Sequence, residues 1–380
     1  MADKLIYLDY NATTPVDSRV LEEMYPYFNQ KFGNASSIHH PFGWDAEEAV
    51  ELARDKVASL IGARSSEIVF TSGATEAINT AIFGMAGAGD HIITCLTEHK
   101  AVLDVCKALE QRGIRVTYLK VNGSGLIDPA DLEASISPET RLITIMHSNN
   151  ETGIIQPIEA ISEIAAKYGI PVMTDATQSL GKIPFSVNET AVHMAAFSGH
   201  KIYAPKGIGV LYISSELKTE LDPLIYGGGH QQGLRSGTLN VPGIVAMGKA
   251  CEIISDIRES EIEKIRDLRD RMESALLKIE DSRINGAGAN RLPNVLNISF
   301  GGIDGSRLIR SLKGLAVSQG SACTSVMQEP SHVLKSMGIS DDRAFASIRI
   351  SLGRNTTQEE VGTAVEIIRS AVEKLKLQHQ

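Results

Sequence analysis

The sequence predicts an α/β fold in which a large domain with a mainly parallel, seven-stranded sheet is joined to a smaller α+β domain. The chain has 380 residues, of which 43% are hydrophobic, which is enough for two or three domains with a large buried core. Short apolar runs alternate with helical segments over the first part of the chain, as in doubly wound parallel sheets. Beyond about Glu252 the pattern changes to one long amphipathic stretch followed by two isolated apolar runs.

The strands of the large sheet are predicted from apolar runs that each precede small or polar residues. These runs occupy 68–70, 92–96, 116–119, 142–146, 172–174, 194–197 and 209–213. From Trp44 to Leu60 the apolar residues repeat at three and four positions, which predicts a helix. The amphipathic stretch from Ile253 to Leu276 predicts a long connecting helix with a solvated, charged face.

The smaller domain is predicted from the apolar runs at 295–300 and 347–351 and from a final helix. Thr357 and Glu360 have the spacing of a capping box, so that helix is expected to begin at Thr357. We expect a large domain over 14–255 and a small C-terminal domain over 256–380. The N-terminal segment 1–13 is expected to join the small domain.

Composition and charge exclude several classes of protein. The formal net charge of −9 argues against a surface for nucleic acid or anionic membrane, since either needs clustered Lys and Arg. No apolar run approaches the roughly 20 residues of a membrane helix, and the N-terminus lacks a secretion signal, which predicts a cytoplasmic protein. The four cysteines show no CxxC spacing, so neither a metal site nor a disulfide framework is predicted.

Polar clusters follow five of the predicted strands, at 71–76, 97–99, 147–153, 175–178 and 198–201. In doubly wound sheets, ligands bind beyond the carboxyl ends of the strands. The glycine turn in the first cluster opens a helix whose N-terminal N–H groups suit a phosphate. Asp175 could pair with a pyridinium nitrogen or cap a helix. His99 could lie over a ring and move protons, or be a satisfied surface histidine.

Lys201 is the leading candidate for covalent attachment of a cofactor. It follows an apolar run, lies behind Ser198 and His200, and precedes a Pro-Lys-Gly turn at 205–207 that stops any helix. A lysine in a partly dehydrated pocket has its ammonium form disfavoured, and the neutral amine forms Schiff bases with carbonyl compounds. We interpret Lys201 as the residue that carries pyridoxal phosphate, the alternative being an ordinary solvated lysine.

Two further residues have a predicted chemical role. Cys323 lies in a run of small and polar residues at 318–325, which predicts a mobile, accessible loop with a nucleophilic thiol. Arg349 could bind a substrate carboxylate through two parallel hydrogen bonds, or form a structural ion pair.

Two nucleotide-binding patterns are rejected. The segment 243–250 has the Walker spacing, but Ala250 lacks the hydroxyl that would bind magnesium, and the segment is predicted to be helical. The glycines at 84–89 do not have the dinucleotide order and follow a helix. Neither a P-loop enzyme nor a nicotinamide enzyme is therefore predicted.

Motifs spread in order over nearly the whole chain resemble those of the pyridoxal-phosphate cysteine desulfurases of the NifS/IscS type, in the class V aminotransferase family. They lie at 8–14, 70–76, 97–99, 149–153, 175–178, 198–201, 234–238, 320–323 and 347–349. The Gly-Ser-Ala-Cys loop at 320–323 is specific to that branch. The resemblance implies the transferase fold type I, a homodimer, and conversion of L-cysteine to L-alanine with formation of an enzyme-bound persulfide.

The resemblance also implies which residues hold the cofactor. Lys201 forms the Schiff base and later removes the Cα proton. Asp175 binds the pyridine nitrogen, and His99 stacks on the ring. Gln178 and Asn149 lie near the ring hydroxyl.

The implied phosphate ligands come from two subunits. They are Ala74, Thr75, Ser198 and His200 of one chain, together with Thr238 of the other. Arg349, with Asn149, would fix the substrate carboxylate, and Cys323 would attack the substrate sulfur. Cys323 could also ligate a cluster transiently.

The sulfur acceptor is left open at this stage. An iron–sulfur scaffold protein is expected, but thiolation of tRNA or supply to a nitrogenase pathway would use the same site. The chain stops at Gln380 without the longer tail by which many housekeeping members contact a scaffold. The rival interpretations are a selenocysteine lyase, a small-substrate aminotransferase, and a non-catalytic sulfur carrier or assembly subunit. Lys201 argues against the carrier, which needs no Schiff base.

Overall fold

The computed structural model describes residues 5–319 and 329–378. The strands, numbered along the chain, are β1 (Ile6–Tyr7), β2 (Ile68–Thr71), β3 (His91–Cys95), β4 (Arg115–Leu119), β5 (Thr140–Thr144), β6 (Val172–Asp175), β7 (Met194–Ser198), β8 (Gly209–Ile213), β9 (Ser282–Ile284), β10 (Val295–Phe300), β11 (Leu315–Ala316) and β12 (Ser347–Ser351).

The α-helices are numbered in the same way. They are α1 (Ser18–Met24), α2 (Pro26–Asn29), α3 (Pro41–Ile61), α4 (Ala74–Met85), α5 (Lys100–Glu110), α6 (Pro129–Ser135), α7 (Ile158–Lys167), α8 (Val187–Thr190), α9 (Val241–Leu276), α10 (Gly305–Ser311), α11 (His332–Ser336), α12 (Asp341–Phe345) and α13 (Gln358–Leu377). Short 3₁₀ turns occur at Ser65–Glu67, Gly199–Lys201 and Gln231–Gly233.

The large sheet has the strand order β2-β8-β7-β6-β5-β3-β4. The neighbours from β7 to β4 pair in parallel, whereas β8 runs antiparallel to both β7 and β2. The predicted apolar runs all form strands of this sheet, so the mainly parallel, seven-stranded prediction is confirmed.

Two apolar layers cover the faces of this sheet, because consecutive side chains of a strand point to opposite faces. In β2, Ile68 and Phe70 join a cluster with α3, α7 and the first half of α9, whereas Val69 joins a second cluster with α4 and α5. In β7, Phe197 lies in the first cluster and Ala196 in the second. Both faces are thus packed, and the polar residues that follow the strands gather at the strand ends.

A second group of elements surrounds a separate apolar cluster. Antiparallel strands β9, β10 and β12 form one small sheet, and β1 pairs in parallel with β11. Their side chains pack with α10, α13 and the last part of α9, and the N-terminal residues Ile6 and Leu8 belong to the same cluster. Helix α13 begins as predicted, since the Thr357 hydroxyl accepts the N–H of Glu360 and the Glu360 carboxylate accepts the N–H of Thr357.

The long helix α9 connects the two groups of elements. It starts at Val241, earlier than the expected connecting helix, and runs for 36 residues. The Asn240 side chain accepts the N–H of Gly243 and Pro242 occupies the first turn, which fixes this start. The segment 243–250 is therefore helical, which agrees with the prediction on which the P-loop was excluded. Among the described residues no helix is both long and apolar enough to cross a membrane.

Candidate active site

The carboxyl ends of the large sheet surround a cavity of about 560 Å³. The predicted site residues that line it are Ala74, Thr75, His99, Asp175, Gln178, Ser198, His200, Lys201 and Arg349. They come from the carboxyl ends of three strands (β3, β6 and β7), from the first turn of α4, and from β12. Folding thus brings together residues that lie up to 275 positions apart in the chain, counted from Ala74 to Arg349 (349 − 74).

Lys201 is fixed at the base of this cavity. It ends the 3₁₀ turn that follows β7, and its Nζ donates to the carbonyl oxygens of Asn11 and Ala12, each at 2.7 Å. The turn packs tightly, since a Cβ on Gly199 would lie 2.7 Å from the Ile208 side chain. The lysine is therefore held by backbone acceptors at the cavity wall.

Asp175 ends β6 and lies at the same wall. The residue is 8% exposed, and its Oδ1 accepts the N–H of Thr177 at 2.9 Å. No described helix begins directly after Asp175, because residues 177–182 form turns. Capping of a helix is therefore not what Asp175 does here, and its carboxylate is presented to the cavity from a rigid strand end.

His99 is the residue that caps helix α5. Its Nδ1 accepts the N–H of Ala101 at 3.1 Å, so Nδ1 carries no proton and the neutral ring is protonated at Nε2. Burial lowers the pKa of His99 from its usual value, while Asp175 opposes this shift and Lys201 adds to it. The neutral imidazole at the cavity wall can therefore donate a hydrogen bond only from Nε2, because Nδ1 already accepts the N–H of Ala101.

The opposite end of the cavity is suited to a phosphate. Helix α4 begins after Gly73 without a side-chain cap, so the N–H groups of its first turn are open to an anion. Ser198, His200 and Lys206 also line the cavity, and Ser198 Oγ lies 3.9 Å from the Cβ position of Gly73. Burial and the charges of nearby lysines lower the pKa of His200 to about 4, so its ring acts there as a neutral hydrogen-bonding group. The backbones approach closely, since a Cβ on Gly209 would lie 2.5 Å from the Gly73 main chain.

Arg349 shows features of both of its predicted roles. Its Nη2 lies 2.6 Å from Oδ1 of Asp9, and its Nη1 donates to the carbonyl oxygen of Asn150 at 3.1 Å. It is therefore a structural ion pair partner. It also lines the cavity, and its buried Nε has no hydrogen-bond partner among the described residues. The guanidinium thus retains donor capacity for a carboxylate.

Among the described residues, two predicted site residues do not line the cavity. Asn149 is 2% exposed, and its amide is occupied by the carbonyl of Thr97 and by the N–H groups of Glu151 and Thr152. Thr238 is exposed on the loop before α9. Cys323 lies outside the described residues. The roles of all three stay predictions.

The cavity includes polar residues that the sequence did not single out. Asn11 supplies the carbonyl oxygen that accepts both Lys201 Nζ and Gln178 Nε2. Glu151 and His332 line the wall next to Arg349, and Lys182 bonds to Gln178 from behind. The positions of Asn11 and Glu151 within two of the recognised motifs were the available signal. No pattern pointed to Lys182.

These residues fit pyridoxal phosphate. The cofactor needs an amine for its aldehyde, an acid beside its ring nitrogen and a cradle of donors for its phosphate. Lys201, Asp175 and the N-terminus of α4 provide these three at one cavity. The close approach of Gly209 to Gly73 shapes the cradle, because any side chain there would displace it.

Comparisons with known proteins agree with this chemistry. The Aminotransferase class-V family matches residues 6–363. The chain is 50% identical to a cysteine desulfurase IscS of Anaeromyxobacter sp. (strain K) over 376 residues, which are 98% of this chain and 93% of that protein. A solved NifS-like protein superimposes with a TM-score of 0.91 at 40% identity, covering 98% of this chain and 100% of that one. SspA in complex with cysteine gives a TM-score of 0.81 at 40% identity, over 92% and 99% of the chains.

The fold and the cavity define a pyridoxal-phosphate enzyme of fold type I. The chain belongs to the class-V aminotransferase family and, within it, to the cysteine desulfurases of the NifS/IscS type. The resemblance, the fold class and the cofactor inferred from the sequence are thereby confirmed.

Proposed function

We propose that this chain converts L-cysteine to L-alanine and transfers the sulfur atom to Cys323 as a persulfide. The observation that carries the proposal is the convergence of Lys201, Asp175 and Arg349 on one cavity in a chain that is 50% identical to IscS proteins. A neighbour of known structure is described in complex with cysteine, which supports the substrate.

Each of the cavity residues has a different role in the proposed reaction. Arg349 binds the carboxylate of the amino acid through its remaining donors and orients the substrate. Lys201 Nζ takes the proton from Cα, and Asp175 keeps a pyridine nitrogen protonated. His99, neutral and protonated at Nε2, donates a hydrogen bond from Nε2 into the cavity. When bound, pyridoxal phosphate supplies an electron sink that stabilises negative charge next to Cα.

The sulfur step balances as a two-electron transfer between carbon and sulfur. The Cys323 thiolate attacks the sulfur of the substrate, and a bond between the two sulfur atoms forms as the Cβ–S bond breaks. The electron pair of the broken bond stays on carbon, and protonation of that carbon gives alanine. The product on the enzyme is a persulfide, and no external oxidant or reductant is required.

A homodimer is part of the proposal, because Thr238 is expected to reach the phosphate in the partner subunit. Two exposed aromatic side chains that lie next to each other support a surface that a second subunit covers. Phe32 and Phe42 are 64% and 52% exposed and their centroids lie 5.3 Å apart. Mixing Lys201→Ala and Thr238→Ala proteins tests this, since a mixed dimer has one site with both residues intact. Recovered activity supports the shared site, and its absence in proven mixed dimers contradicts it.

The division into a large domain over 14–255 and a small domain over 256–380 with segment 1–13 also stays a proposal. Separate apolar clusters support it, since helix α9 contributes Ile254 to one cluster and Ile265 to the other. Supply of sulfur to an iron–sulfur scaffold, with other thiolation pathways as further acceptors, is proposed from the IscS names of the relatives. A cytoplasmic location stays a prediction.

The function is tested by alanine release from L-cysteine under anaerobic conditions. We expect catalytic turnover in the presence of a reducing thiol and loss of at least about 100-fold in Cys323→Ala, since the acceptor nucleophile is removed. Cys251→Ala is the matched control, because this buried helical cysteine has no proposed role. Full turnover by Cys323→Ala would contradict the proposal and favour an aminotransferase.

A further inference from the structure

Lys182 is a lysine behind the cavity for which the proposed reaction has no use. It lies in the turn after β6 and is partly buried. Its Nζ donates to Oε1 of Gln178 at 2.5 Å and to Oδ1 of Asn11 at 3.3 Å. The described structure therefore places a cationic or amine donor on two side-chain carbonyl oxygens, with no carboxylate among these acceptors.

These contacts fix the orientation of the Gln178 amide. Gln178 is 5% exposed and lines the cavity. Its Oε1 faces Lys182, and its Nε2 donates to the carbonyl oxygen of Asn11 at 3.0 Å. In the reversed orientation, the amide oxygen would face the Asn11 carbonyl oxygen and the NH₂ group would face the lysine nitrogen. Two acceptors would then oppose each other, so the network permits one orientation of the amide.

The fixed orientation leaves one N–H donor of the Gln178 amide available to a ligand. A primary amide has two N–H donors, and the carbonyl oxygen of Asn11 takes one of them. The same carbonyl oxygen accepts Lys201 Nζ at 2.7 Å, so Gln178 Nε2 is held next to the amine that is proposed to carry the cofactor. The second N–H is available to a ligand atom in the cavity.

We propose that Lys182 is a positioning residue for the cofactor: it locks the Gln178 amide so that an N–H of Nε2 meets the oxygen of the ring hydroxyl. This inference rests on the proposed cofactor site and on the proposed contact between Gln178 and that oxygen. The donor stabilises the oxygen when it is negatively charged. It thereby lowers the pH at which the ring hydroxyl and the attached Lys201 nitrogen lose their shared proton.

The cost of placing Lys182 there argues for such a role. Burial lowers its pKa well below the usual value, and the charges of Lys201 and Arg349 lower it further. An apolar side chain at this position would avoid the cost of desolvation. The charge of Lys182 also contributes to lowering the pKa of His200.

The test measures the visible absorption band of the Lys201-bound cofactor as a function of pH, without substrate. We expect Lys182→Met to raise the midpoint of the spectral transition by about one pH unit, the size of one charge-assisted hydrogen bond. In a Gln178→Leu background, Lys182→Met should leave the midpoint unchanged, because the residue through which it acts is absent. Lys167→Met, at an exposed ion pair with Glu133, is the control and should leave both midpoints unchanged.

The remaining outcomes decide against the inference or against the cofactor site. An unchanged midpoint in Lys182→Met, or an equal shift in both backgrounds, overturns the inference, since the second result means that the lysine acts through its charge. A parent protein without the band overturns the cofactor site itself and this inference with it. If Lys182→Met does not yield folded protein, Lys182→Leu is measured in the same two backgrounds and judged in the same way.

Discussion

The guanidinium of Arg349 and the carboxylate of Asp9 form an ion pair of 2.6 Å, although the two residues are 340 positions apart in the chain. Oδ2 of Asp9 also accepts the hydroxyl of Ser318 at 2.8 Å. Asp9 thus connects the N-terminal segment to β12 and to Ser318, which lies two residues beyond β11. Arg349 lines the cavity, and its Nε has no hydrogen-bond partner among the described residues, which is the basis of the first prediction.

Arg349→Ala is expected to raise KM for L-cysteine by about 10- to 100-fold, because charge-assisted hydrogen bonds to the substrate carboxylate are lost. The KM of Arg349→Lys should lie between those of the parent protein and of Arg349→Ala, since a lysine keeps the charge but not the paired donors. Steady-state alanine release measures this. Arg141→Ala, at an exposed ion pair with Glu220, serves as the control. An unchanged KM in Arg349→Ala would rule out the carboxylate role.

Gly209→Ala is expected to weaken cofactor binding by about 10-fold or more. The new Cβ would lie 2.5 Å from the main chain of Gly73, and overpacking of this kind typically costs about 1 to 3 kcal/mol. The displaced turn is the one that opens helix α4, so the phosphate cradle is affected directly. Equilibrium dialysis of pyridoxal phosphate gives the affinity.

Gly123→Ala is the matched control for this experiment, because nothing lies within 4 Å of its Cβ position. Cofactor affinity that is the same in Gly209→Ala and in the parent protein would show that the close approach of the two glycines does not shape the cradle.

The stability of the protein should fall on acidification because of buried histidines. Burial lowers the pKa of His147 to about 4, so the unfolded chain binds a proton at a higher pH than the folded protein does. Above about pH 6.5 His147 is neutral in both states and does not oppose folding. As the pH falls toward 4, the unfolded chain gains a proton there and the free energy of unfolding decreases progressively. Between pH 7 and pH 5 the loss amounts to about 2 kcal/mol for this histidine.

His147→Gln is therefore expected to lose about 2 kcal/mol less than the parent protein between pH 7 and pH 5. Urea unfolding at the two pH values measures the difference. His39→Gln, at an exposed position, should behave as the parent does. An equal loss in His147→Gln and the parent would mean that His147 is not the source of the acid sensitivity.

Arg354→Leu is expected to destabilise the protein by about 3 kcal/mol, the cost of leaving buried partners without their counter-charge. Arg354 pairs with Glu261 at 2.9 Å and with Asp17 at 2.5 Å, and its side chain is only 15% exposed. It also lies over the ring of Tyr203, 4.1 Å from the ring centroid. Chemical denaturation gives the free energy of unfolding.

The comparison for this variant is Arg271→Leu. Arg271 pairs with Asp267 one helical turn away and its side chain is 53% exposed, so its replacement should cost less than about 1 kcal/mol. Similar costs for the two variants would show that burial does not strengthen the contribution of Arg354.

Local patterns in the sequence were sufficient to predict most elements of the fold. The strands of the large sheet were predicted because buried parallel strands are short apolar runs, and the start of α13 was predicted because Thr357 and Glu360 cap it locally. The direction of β8 was not predicted, since an apolar run is the same in either orientation. Residues 243–250 were predicted to be helical, but their continuity with the connecting helix from Ile253 was not predicted, because residues 241–252 lie within the buried core and carry few charges.

The candidate site was predictable where side chains carry the chemistry, as at Lys201 and Asp175. Backbone groups have no sequence signature, so the carbonyl oxygen of Asn11 could not be predicted as the acceptor of two cavity side chains. The ion pair between Asp9 and Arg349 accompanies the β-bridges of Asp9 with Ser351 and of Ser318 with Arg349, which are properties of the tertiary structure.

The central claim is that the sulfur of L-cysteine passes to Cys323. The most direct measurement is a single anaerobic turnover of the cofactor-loaded protein without reductant, followed by alanine analysis and peptide mass spectrometry. We expect one alanine per active site and the added mass of one sulfur atom on the peptide that contains Cys323, with none on the peptides of the buried Cys95, Cys106 and Cys251. Alanine without a sulfur adduct on Cys323, or no alanine from loaded protein, would contradict the account.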